Sequence, residues 1–420
     1  MPNTRIFEQW ESEVRGYCRA YPTVFTSASN ARQVDEDGTS YLDFFAGAGV
    51  LNFGHNDPTM KRAVIDFLEA DGLVHSLDTY TTPKREFVEA FATTILEPRG
   101  WDHKLQFTGP TGTNAVEASL KLARRATGRE GIVAFTNGFH GMTLGSLALT
   151  ANTYFRDAAG VALPNAYRLP YDTAPGGGLA HLEAYEALLE DSSSGVRPPA
   201  AFVVEPIQAE GGVHVASAEW LQALQALARR HGSLFILDDI QAGCGRTGSY
   251  FSFDGMGLDP DIINLAKGIG GLGTPLAMNL NKPEIDQHWS PGEHTGTFRG
   301  QGLSFVAGRE ALRYFEDDEL MAATRRKGEV MRERAQAIVD DHPGRGWEVR
   351  GRGMMQGLDV VDGALAKEVQ RIGFETGLLL GPSGTGGRVI KLIPPLTIPD
   401  EDLAEGLDLL EAALRKAVTA

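Results

Sequence analysis

Fold and chemistry both depend on LFILDDIQAGCGRTG, residues 234–248, and on NLAKGIGG, residues 264–271. The first stretch opens with a short apolar run, which predicts a buried strand. Two acids follow it, and polar residues just beyond such a strand usually face the ligand crevice of an open α/β sheet. A second apolar run leads directly to Lys267. The sequence therefore predicts an acid, Asp238, and a lysine at neighbouring strand ends.

These two side chains together have a specific chemical meaning. A buried carboxylate can hold a pyridine nitrogen protonated, and a desolvated lysine can form a Schiff base. They are the two protein groups that pyridoxal-phosphate chemistry needs. Glycines at 243, 245 and 248 let the chain approach a ligand closely. The pattern predicts a pyridoxal 5′-phosphate site built on Asp238 and Lys267.

Length, charge and cysteine content restrict the class of protein. The 420 residues suffice for one large domain and a smaller one. The net charge is −16, from 39 basic and 55 acidic residues, and the absence of a basic stripe argues against a nucleic-acid partner. Cys18 and Cys244 do not form the pattern of a disulfide framework. Since no signal core or membrane-length apolar run is found, we expect a cytoplasmic protein with no membrane partner. We also predict no metal site.

The order of apolar runs predicts an α/β architecture. Strands alternating with helices between about residues 105 and 270 indicate a mainly parallel sheet covered by helices. An amphipathic helix is expected at Phe7–Tyr17, ahead of a small hairpin or meander. We predict an N-terminal segment at 1–55 that joins the small domain, a large cofactor-binding domain at 56–320, and a smaller α+β domain at 321–420.

A possible phosphate site lies at the turn before the helix that opens at Thr113. Glycines at 109 and 112 precede that helix. The free N–H groups and the dipole of a helix N-terminus favour phosphate. Capping of the helix by threonine is the simpler explanation. The residues alone leave both interpretations open.

The central motif resembles a known family. DDIQAGCGRTG followed by LAKG is similar to the signature of class III (ω-type) aminotransferases, usually D-E-[VI]-Q-x-G-x-G-R-T-G, with Asp239 in the place of Glu. Further matches occur in the family's order: GPTGTNAVEASLKLAR at 109–124, FHG at 139–141, EPIQAEGG at 205–212 and GEHTGTFRG at 292–300. The resemblance spans nearly the whole chain. It implies pyridoxal-phosphate-dependent fold type I and a homodimer, or a higher assembly of dimers, with shared active sites.

The resemblance also implies roles for individual residues. Asp238 would pair with the ring nitrogen, Lys267 would carry the cofactor, and Gln241 would reach the ring hydroxyl. Phe139 and Ile240 would cover opposite ring faces. Thr297 would touch the phosphate of the partner's site. The complete expected cofactor set is Gly112, Thr113, Phe139, His140, Asp238, Ile240, Gln241, Lys267 and Thr297.

Substrate residues are implied in the same way. Ala48 and Gly49 lie in the loop that lines the family's substrate channel, and Ala48 stands where members acting on ornithine carry a tyrosine. Glu210 matches an acid that pairs with a substrate-binding arginine, whose place Lys391 takes here. A lysine is a point charge and lacks the planar fork of arginine; a lysine snorkelling at a strand edge is the alternative. Arg299 is the reserve candidate for the carboxylate, or else a surface ion pair.

A closer resemblance concerns one subfamily. IFEQWESEVRGYCR at 6–19, Asn114, Arg299 and the double acid are shared with the diaminobutyrate–2-oxoglutarate aminotransferases of ectoine synthesis. The implied reaction moves the amino group of L-glutamate to L-aspartate 4-semialdehyde, giving L-2,4-diaminobutyrate and 2-oxoglutarate. Three alternatives remain: another ω-aminotransferase (GABA, ornithine or putrescine type), an aminomutase on the same fold, and a cofactor-free binding protein.

Overall fold

This computed structural model describes residues 4–419. The N-terminal segment contains helix α1 (Arg5–Trp10), strands β1 (Phe25–Ser29), β2 (Arg32–Asp35) and β3 (Ser40–Asp43), and a single turn, α2 (Ala46–Gly49). The three strands form an antiparallel meander, as the alternating sequence predicted.

The helix expected at Phe7–Tyr17 is shorter than predicted. It ends at Trp10, and Glu11 is already extended, with φ −95° and ψ 149°. No residue of α1 is buried, and its apolar side chains remain exposed. A short helix depends on packing of its apolar face, and no such packing is found for α1 among residues 4–419, so the extra turns are not stabilised.

The middle of the chain alternates helices and strands. In order these are α3 (Pro58–Glu69), α4 (Thr82–Phe91), β4 (Lys104–Phe107), α5 (Gly112–Thr127), β5 (Ile132–Phe135), α6 (Leu144–Leu149), α7 (Thr153–Asp157), β6 (Ala166–Leu169), α8 (Gly178–Glu190), β7 (Ala201–Val204), β8 (Ile207–Gln208), β9 (His214–Val215), α9 (Ala218–Arg230), β10 (Leu234–Asp238), β11 (Ile262–Leu265), β12 (Met278–Asn281), α10 (Pro283–Asp286), α11 (Gly302–Leu312) and α12 (Glu319–Asp340).

A seven-stranded sheet of order β4-β12-β11-β10-β7-β5-β6 forms the centre of the molecule. Strands β11, β10, β7, β5 and β6 pair in parallel, whereas β12 runs antiparallel to both of its neighbours. Every residue of β5, β7, β10 and β11 is buried, because helices cover both faces. The predicted α/β fold with a mainly parallel sheet is confirmed.

Helix α9 shows how sequence signals position the covering layer. Its N-cap, Ser217, accepts a hydrogen bond from the Trp220 backbone N–H, so the helix starts where the serine predicts. Trp220 is completely buried. Its ring centroid lies 5.0 Å from that of Phe135 and 5.1 Å from that of Tyr171, both edge-on. This aromatic contact fixes α9 against the sheet beside β5.

The C-terminal part contains β13 (Glu348–Arg352), β14 (Met355–Asp359), α13 (Gly363–Glu375), β15 (Leu378–Leu379), β16 (Gly381–Ser383), β17 (Val389–Leu392) and α14 (Asp400–Thr419). Its four-stranded sheet has the order β13-β14-β17-β16, and β15 pairs in parallel with β3. The pairing joins the N-terminal meander to the C-terminal part. It supports the three-part division at 1–55, 56–320 and 321–420, which stays a prediction; residues 1–3 and 420 lie outside the described residues.

No helix within residues 4–419 combines the length and the apolar character needed to cross a membrane.

Candidate active site

Asp238 and Lys267 lie at the same edge of the sheet. Asp238 is the last residue of β10, and Lys267 comes two residues after β11, the strand that pairs with β10 in parallel. Lys267 has φ +54°, a left-handed conformation that costs on the order of 1 kcal/mol for such a residue. Its amine makes no hydrogen bond or salt bridge to any other residue in the described range.

The surroundings of Lys267 favour its neutral form. Burial lowers the pKa of its amine to about 8, although Glu210, Asp238 and Glu205 oppose the change; Lys391 adds to it. At pH 7 about a tenth of such an amine is unprotonated, roughly 300 times more than at the ordinary pKa. The neutral amine is the nucleophile that attacks an aldehyde.

Asp238 is held in a fixed orientation. The His140 Nδ1 atom lies 2.7 Å from Asp238 Oδ2, and both side chains are almost fully buried. Because a carboxylate only accepts, Nδ1–H is the donor. Burial opposes protonation of the imidazole, but the hydrogen bond to Asp238 and the charge of Glu205 raise the pKa of His140. The carboxylate at the end of β10 therefore has one oxygen occupied by the histidine.

The start of α5 is open to an anion and close to Ile240. A Cβ atom built on Gly112 would lie 3.1 Å from Ile240 Cδ1, so only glycine allows this approach without displacement. The Asn114 side chain accepts hydrogen bonds from the Thr111 hydroxyl at 2.9 Å and from the Thr111 N–H at 3.4 Å. Asn114 thus completes the capping box of α5 in the place of the family's usual glutamate. The Thr113 hydroxyl lies 2.7 Å from that of Thr143.

These features fit pyridoxal 5′-phosphate. Its aldehyde needs an unpaired lysine amine of lowered pKa, which Lys267 provides. Its ring nitrogen needs a fixed carboxylate, which Asp238 provides. Its phosphate needs a helix N-terminus free of a Cβ obstruction, which Gly112 provides. The roles of these residues, and those of Phe139, Ile240 and Gln241 against the ring, stay predictions.

A second cluster adjoins the lysine. The Lys391 ammonium forms an ion pair with Glu210 Oε1. Gln241 Nε2 donates to the same Glu210 oxygen and to the Ala48 carbonyl, at 2.8 Å each. Burial alone would raise the pKa of Glu210, but Lys391, Lys267 and the hydrogen bonds lower it to about 2. The acid is therefore ionised and paired with the Lys391 ammonium.

Lys391 does not reach solvent. It lies in β17, which has partners on both sides, and its side chain is completely buried. The strand-edge alternative therefore does not apply. A buried ammonium must be paired, and its partner within the described residues is the Glu210 carboxylate.

The small-residue loop beside this cluster has an unusual backbone. Ala46, Gly47, Ala48 and Gly49 all have positive φ, between 45° and 87°, so the turn is left-handed. A Cβ on Gly49 would lie 3.4 Å from Gln241 Cγ. The loop thus contacts Gln241 through Gly49 and through the Ala48 carbonyl. Two alanines in left-handed conformation store strain, which is common at ligand sites.

Thr297 and Arg299 have different surroundings. The Thr297 carbonyl lies 3.0 Å from His75 Nε2, and Arg299 forms an ion pair of 3.0 Å with Asp78. Thr297 is exposed, and the neighbouring Phe298 is 63% exposed. Neither residue contacts the Lys267 cluster of its own chain through a hydrogen bond or ion pair within residues 4–419. Their predicted roles depend on a second subunit.

Three residues near the site escaped sequence reasoning. Thr143 and Ser146 surround the Thr113 hydroxyl, and the motif HGMTLGS contains both. Tyr17 is 65% exposed and lies in the field of Glu210; partial desolvation and that charge raise the pKa of the phenol. Its ring centroid lies 5.2 Å from that of Phe45, next to the small-residue loop. Nothing in the sequence around Tyr17 signals this position.

One group of side chains in the described structure has metal-ligand character. Ligand atoms of Glu186, Glu190 and His231 lie within 4.8 Å of one another. The Arg230 guanidinium already binds both oxygens of Glu186, at 2.6 and 2.7 Å. The prediction of no metal stays a prediction.

Comparisons with known proteins agree with this geometry. The family model for class III aminotransferases matches residues 16–414. A diaminobutyrate–2-oxoglutarate transaminase of Bordetella parapertussis is 49% identical over 417 residues, covering 99% of this chain and 96% of that protein. One from Streptomyces anulatus is 50% identical over 416 residues, covering 99% and 98%. The ornithine aminotransferase of Toxoplasma gondii has a TM-score of 0.86 at 26% identity, covering 99% and 94%.

A Bacillus anthracis aminotransferase has a TM-score of 0.87 at 24% identity, covering 99% of this chain and 100% of that one, and shows the fold alone. A further structure of the Toxoplasma gondii enzyme is described with pyridoxal phosphate at its active site. The predicted fold type, cofactor and aminotransferase activity are confirmed. The chain belongs to the class III aminotransferases.

Proposed function

We propose that this enzyme transfers the amino group of L-glutamate to L-aspartate 4-semialdehyde and releases L-2,4-diaminobutyrate and 2-oxoglutarate, the first step of ectoine biosynthesis. The observation that carries the proposal is the Lys391–Glu210 ion pair beside the Lys267 amine. The near-full-length similarity to diaminobutyrate–2-oxoglutarate transaminases supports the choice of substrates.

Three residues of the chain would have distinct roles in this reaction. When bound, pyridoxal phosphate supplies an electron sink for the pair left on the substrate Cα after deprotonation. Lys267 would hold the cofactor and would act as general base and acid toward the proton on the substrate Cα. Asp238, fixed by His140, would keep a proton on the ring nitrogen.

The ion pair would let one site accept two kinds of substrate. Glutamate carries a carboxylate on its reacting carbon, which needs a cation. Diaminobutyrate reacts through its distal amine, on a carbon without a carboxylate, and an unneutralised cation there would repel that amine. Lys391 supplies the cation, and Glu210 neutralises it when no carboxylate is present. Gln241 holds Glu210 at 2.8 Å and can release it when the carboxylate arrives.

Isotope transfer tests the proposed reaction. Nitrogen-15 glutamate and aspartate semialdehyde should give diaminobutyrate labelled on its 4-amino nitrogen, detected by mass spectrometry, and Lys267→Ala should give none. If the label enters GABA, ornithine or putrescine instead, when their aldehydes are offered, the enzyme is another ω-aminotransferase. If the amino group moves within one molecule without 2-oxoglutarate, it is an aminomutase.

Lys391→Ala should impair one half-reaction selectively. A charge-assisted contact contributes roughly 1.5–3 kcal/mol, so the glutamate half-reaction should lose about 10- to 150-fold in kcat/KM. The diaminobutyrate half-reaction should change much less, because its reacting carbon, C4, carries no carboxylate, whereas the reacting carbon of glutamate does. Single-turnover absorbance measurements with each amine separate the two.

Arg299→Ala is the matched control for Lys391→Ala, because it removes a different candidate cation. Its ion pair with Asp78 predicts nearly equal, small effects on both half-reactions within one chain. Equal losses in Lys391→Ala would discard the assignment of Lys391. A glutamate-selective loss in Arg299→Ala would transfer the role to Arg299.

We also propose that the enzyme works as a homodimer or as an assembly of dimers. Large apolar side chains are exposed in the segments next to Thr297, including Leu77 at 52%, Tyr80 at 103% and Phe298 at 63%. Such exposure near a binding site is typical of an interface. Thr297 would then reach the phosphate of the other subunit's cofactor.

Mixed dimers test the shared site. Lys267→Ala and Thr297→Trp should each be inactive as homodimers. In a heterodimer of the two, one composite site would carry neither change, so activity should return to about a quarter of wild type in a statistical mixture. Differently tagged chains isolate the heterodimer. Heterodimers that stay inactive would show that Thr297 acts within its own chain, and an active Thr297→Trp homodimer would show that it has no role at the phosphate.

A further inference from the structure

A chain of three buried titratable side chains runs from the ring-nitrogen acid into the protein. His140 Nδ1 lies 2.7 Å from Asp238, and His140 Nε2 lies 3.9 Å from Glu205 Oε2. All three residues have relative exposures of 6% or less. Glu205 comes directly after β7, the strand next to β10, and the backbone thereby fixes its place behind the histidine.

Glu205 is held by a second contact. Its Oε2 atom accepts a hydrogen bond of 3.0 Å from the Phe139 backbone N–H. Phe139 immediately precedes His140, so one carboxylate contacts the backbone next to the histidine and faces the histidine ring. Glu205 is therefore oriented toward Nε2 rather than free to turn away.

Gly138 keeps the space between acid and imidazole clear. A Cβ atom at this position would lie 3.1 Å from His140 Nε2, 3.2 Å from the Phe135 carbonyl oxygen and 3.5 Å from Glu205 Oε2. Gly138 does not have a positive φ, so alanine is not excluded by its backbone conformation. A side chain here would crowd the acid and the imidazole as well as the Phe135 carbonyl.

We propose that Glu205 is a positioning residue that acts on the cofactor's ring nitrogen through His140 and Asp238. When ionised, Glu205 is the counterion of the imidazole and favours the form of His140 in which both ring nitrogens are protonated. The doubly protonated ring donates a charge-assisted hydrogen bond to Asp238 Oδ2 and fixes the carboxylate. Asp238 Oδ1, which accepts a hydrogen bond of 3.3 Å from the Ile240 N–H, would then be the oxygen available to the ring nitrogen. The inference rests on the proposed role of Asp238 and is independent of the choice of substrate.

The electrostatics agree with a shared proton. Burial raises the pKa of Glu205 to about 8, with a further contribution from Asp238, while His140 and Lys267 lower it. The imidazole also faces Arg168, which opposes its protonation. Tyr171, whose hydroxyl donates to the Glu205 carbonyl at 2.9 Å, stays neutral because burial raises its pKa. A proton is therefore retained between Glu205 and His140 near neutral pH.

The test is the titration of His140 in the protein without cofactor. Glu205→Gln keeps an acceptor for the Phe139 N–H and removes the charge. NMR of histidine-labelled protein should show the His140 imidazole titrating about one to three pH units lower, the effect of losing an opposite charge at this distance. The resonance that disappears in His140→Gln identifies the signal. Asp239→Asn, which removes a neighbouring buried acid that instead contacts Ser252, should leave it unchanged.

Gly138→Ala is an independent variant. It separates the two groups without altering either, so the His140 titration should move in the same direction by a smaller amount. In loaded Glu205→Gln enzyme, kcat with glutamate should fall by up to about tenfold for each unit by which the His140 pKa changes, with KM nearly constant. Unchanged His140 titration in both folded variants would overturn the inference, whatever the enzyme's substrate proves to be.

Discussion

Lys267→Ala is expected to lose at least about 10⁴-fold in turnover and to bind pyridoxal phosphate without a covalent bond. The loss is large because one side chain both holds the cofactor and moves the substrate proton. Borohydride treatment of wild-type enzyme, followed by peptide mapping, should place the reduced cofactor on Lys267. In the variant no lysine should carry it.

Lys282→Ala provides the matched control. Lys282 also follows a strand of the central sheet, but β12 is antiparallel to its neighbours and therefore ends at the opposite edge. Its ammonium is bound by Asp259 at 2.8 Å and Asp261 at 3.3 Å. This variant should incorporate the cofactor normally. Recovery of the reduced cofactor on any lysine other than Lys267 in the wild type would refute the assignment.

The central strands and the two strand-end groups could be predicted from sequence. Runs such as Leu234–Leu237 are buried on both faces, so their apolar composition identifies them without tertiary information. Asp238 and Lys267 interrupt these runs at their ends, where polar side chains have no structural purpose. At these two positions the sequence pattern and the chemistry of the side chains lead to the same prediction. The structure places both residues at the same edge of the sheet.

The other features of the site and of the N-terminal segment depend on contacts between residues far apart in the sequence, or on backbone conformations, which local sequence patterns do not predict. Glu210 and Lys391 are 181 residues apart in sequence and meet because two sheets converge on the site. The family resemblance implied that both residues belong to the site. The chemistry of the two side chains did not predict this by itself. The left-handed turn at 46–49 uses two alanines, which sequence rules assign to helix. The N-terminal helix ends early because its apolar face is exposed in the described part of the chain.

The position of Asn114 shows the reverse case. It takes the place of the family's usual glutamate. The structure shows a local capping interaction with Thr111, which an asparagine can make as well as a glutamate. A departure from a family motif at a helix start therefore need not alter the phosphate site beside it.

Asp238→Asn is expected to keep the fold and part of the cofactor affinity and to lose about 10²- to 10⁴-fold in rate, the range for one positioned proton-holding group. Asparagine has the shape of aspartate, and its carbonyl can still accept the hydrogen bond from His140 Nδ1. Its amide would then face the ring nitrogen as a donor. A donor there favours the unprotonated nitrogen, so the ring can no longer accept the substrate's electron pair.

Single-turnover rates with glutamate measure this loss, and nitrogen-15 NMR of a ring-labelled cofactor measures the proton directly. Asp239→Asn is the control that separates the loss of the Asp238 charge from the general effect of changing a buried acid at this strand end. Asp239 is the adjacent residue and equally buried, but its carboxylate accepts a hydrogen bond of 3.0 Å from the Ser252 N–H, on the other side of the strand end. It should leave the ring nitrogen protonated. A rate loss below about threefold in Asp238→Asn, with the nitrogen still protonated, would show that another group holds the proton.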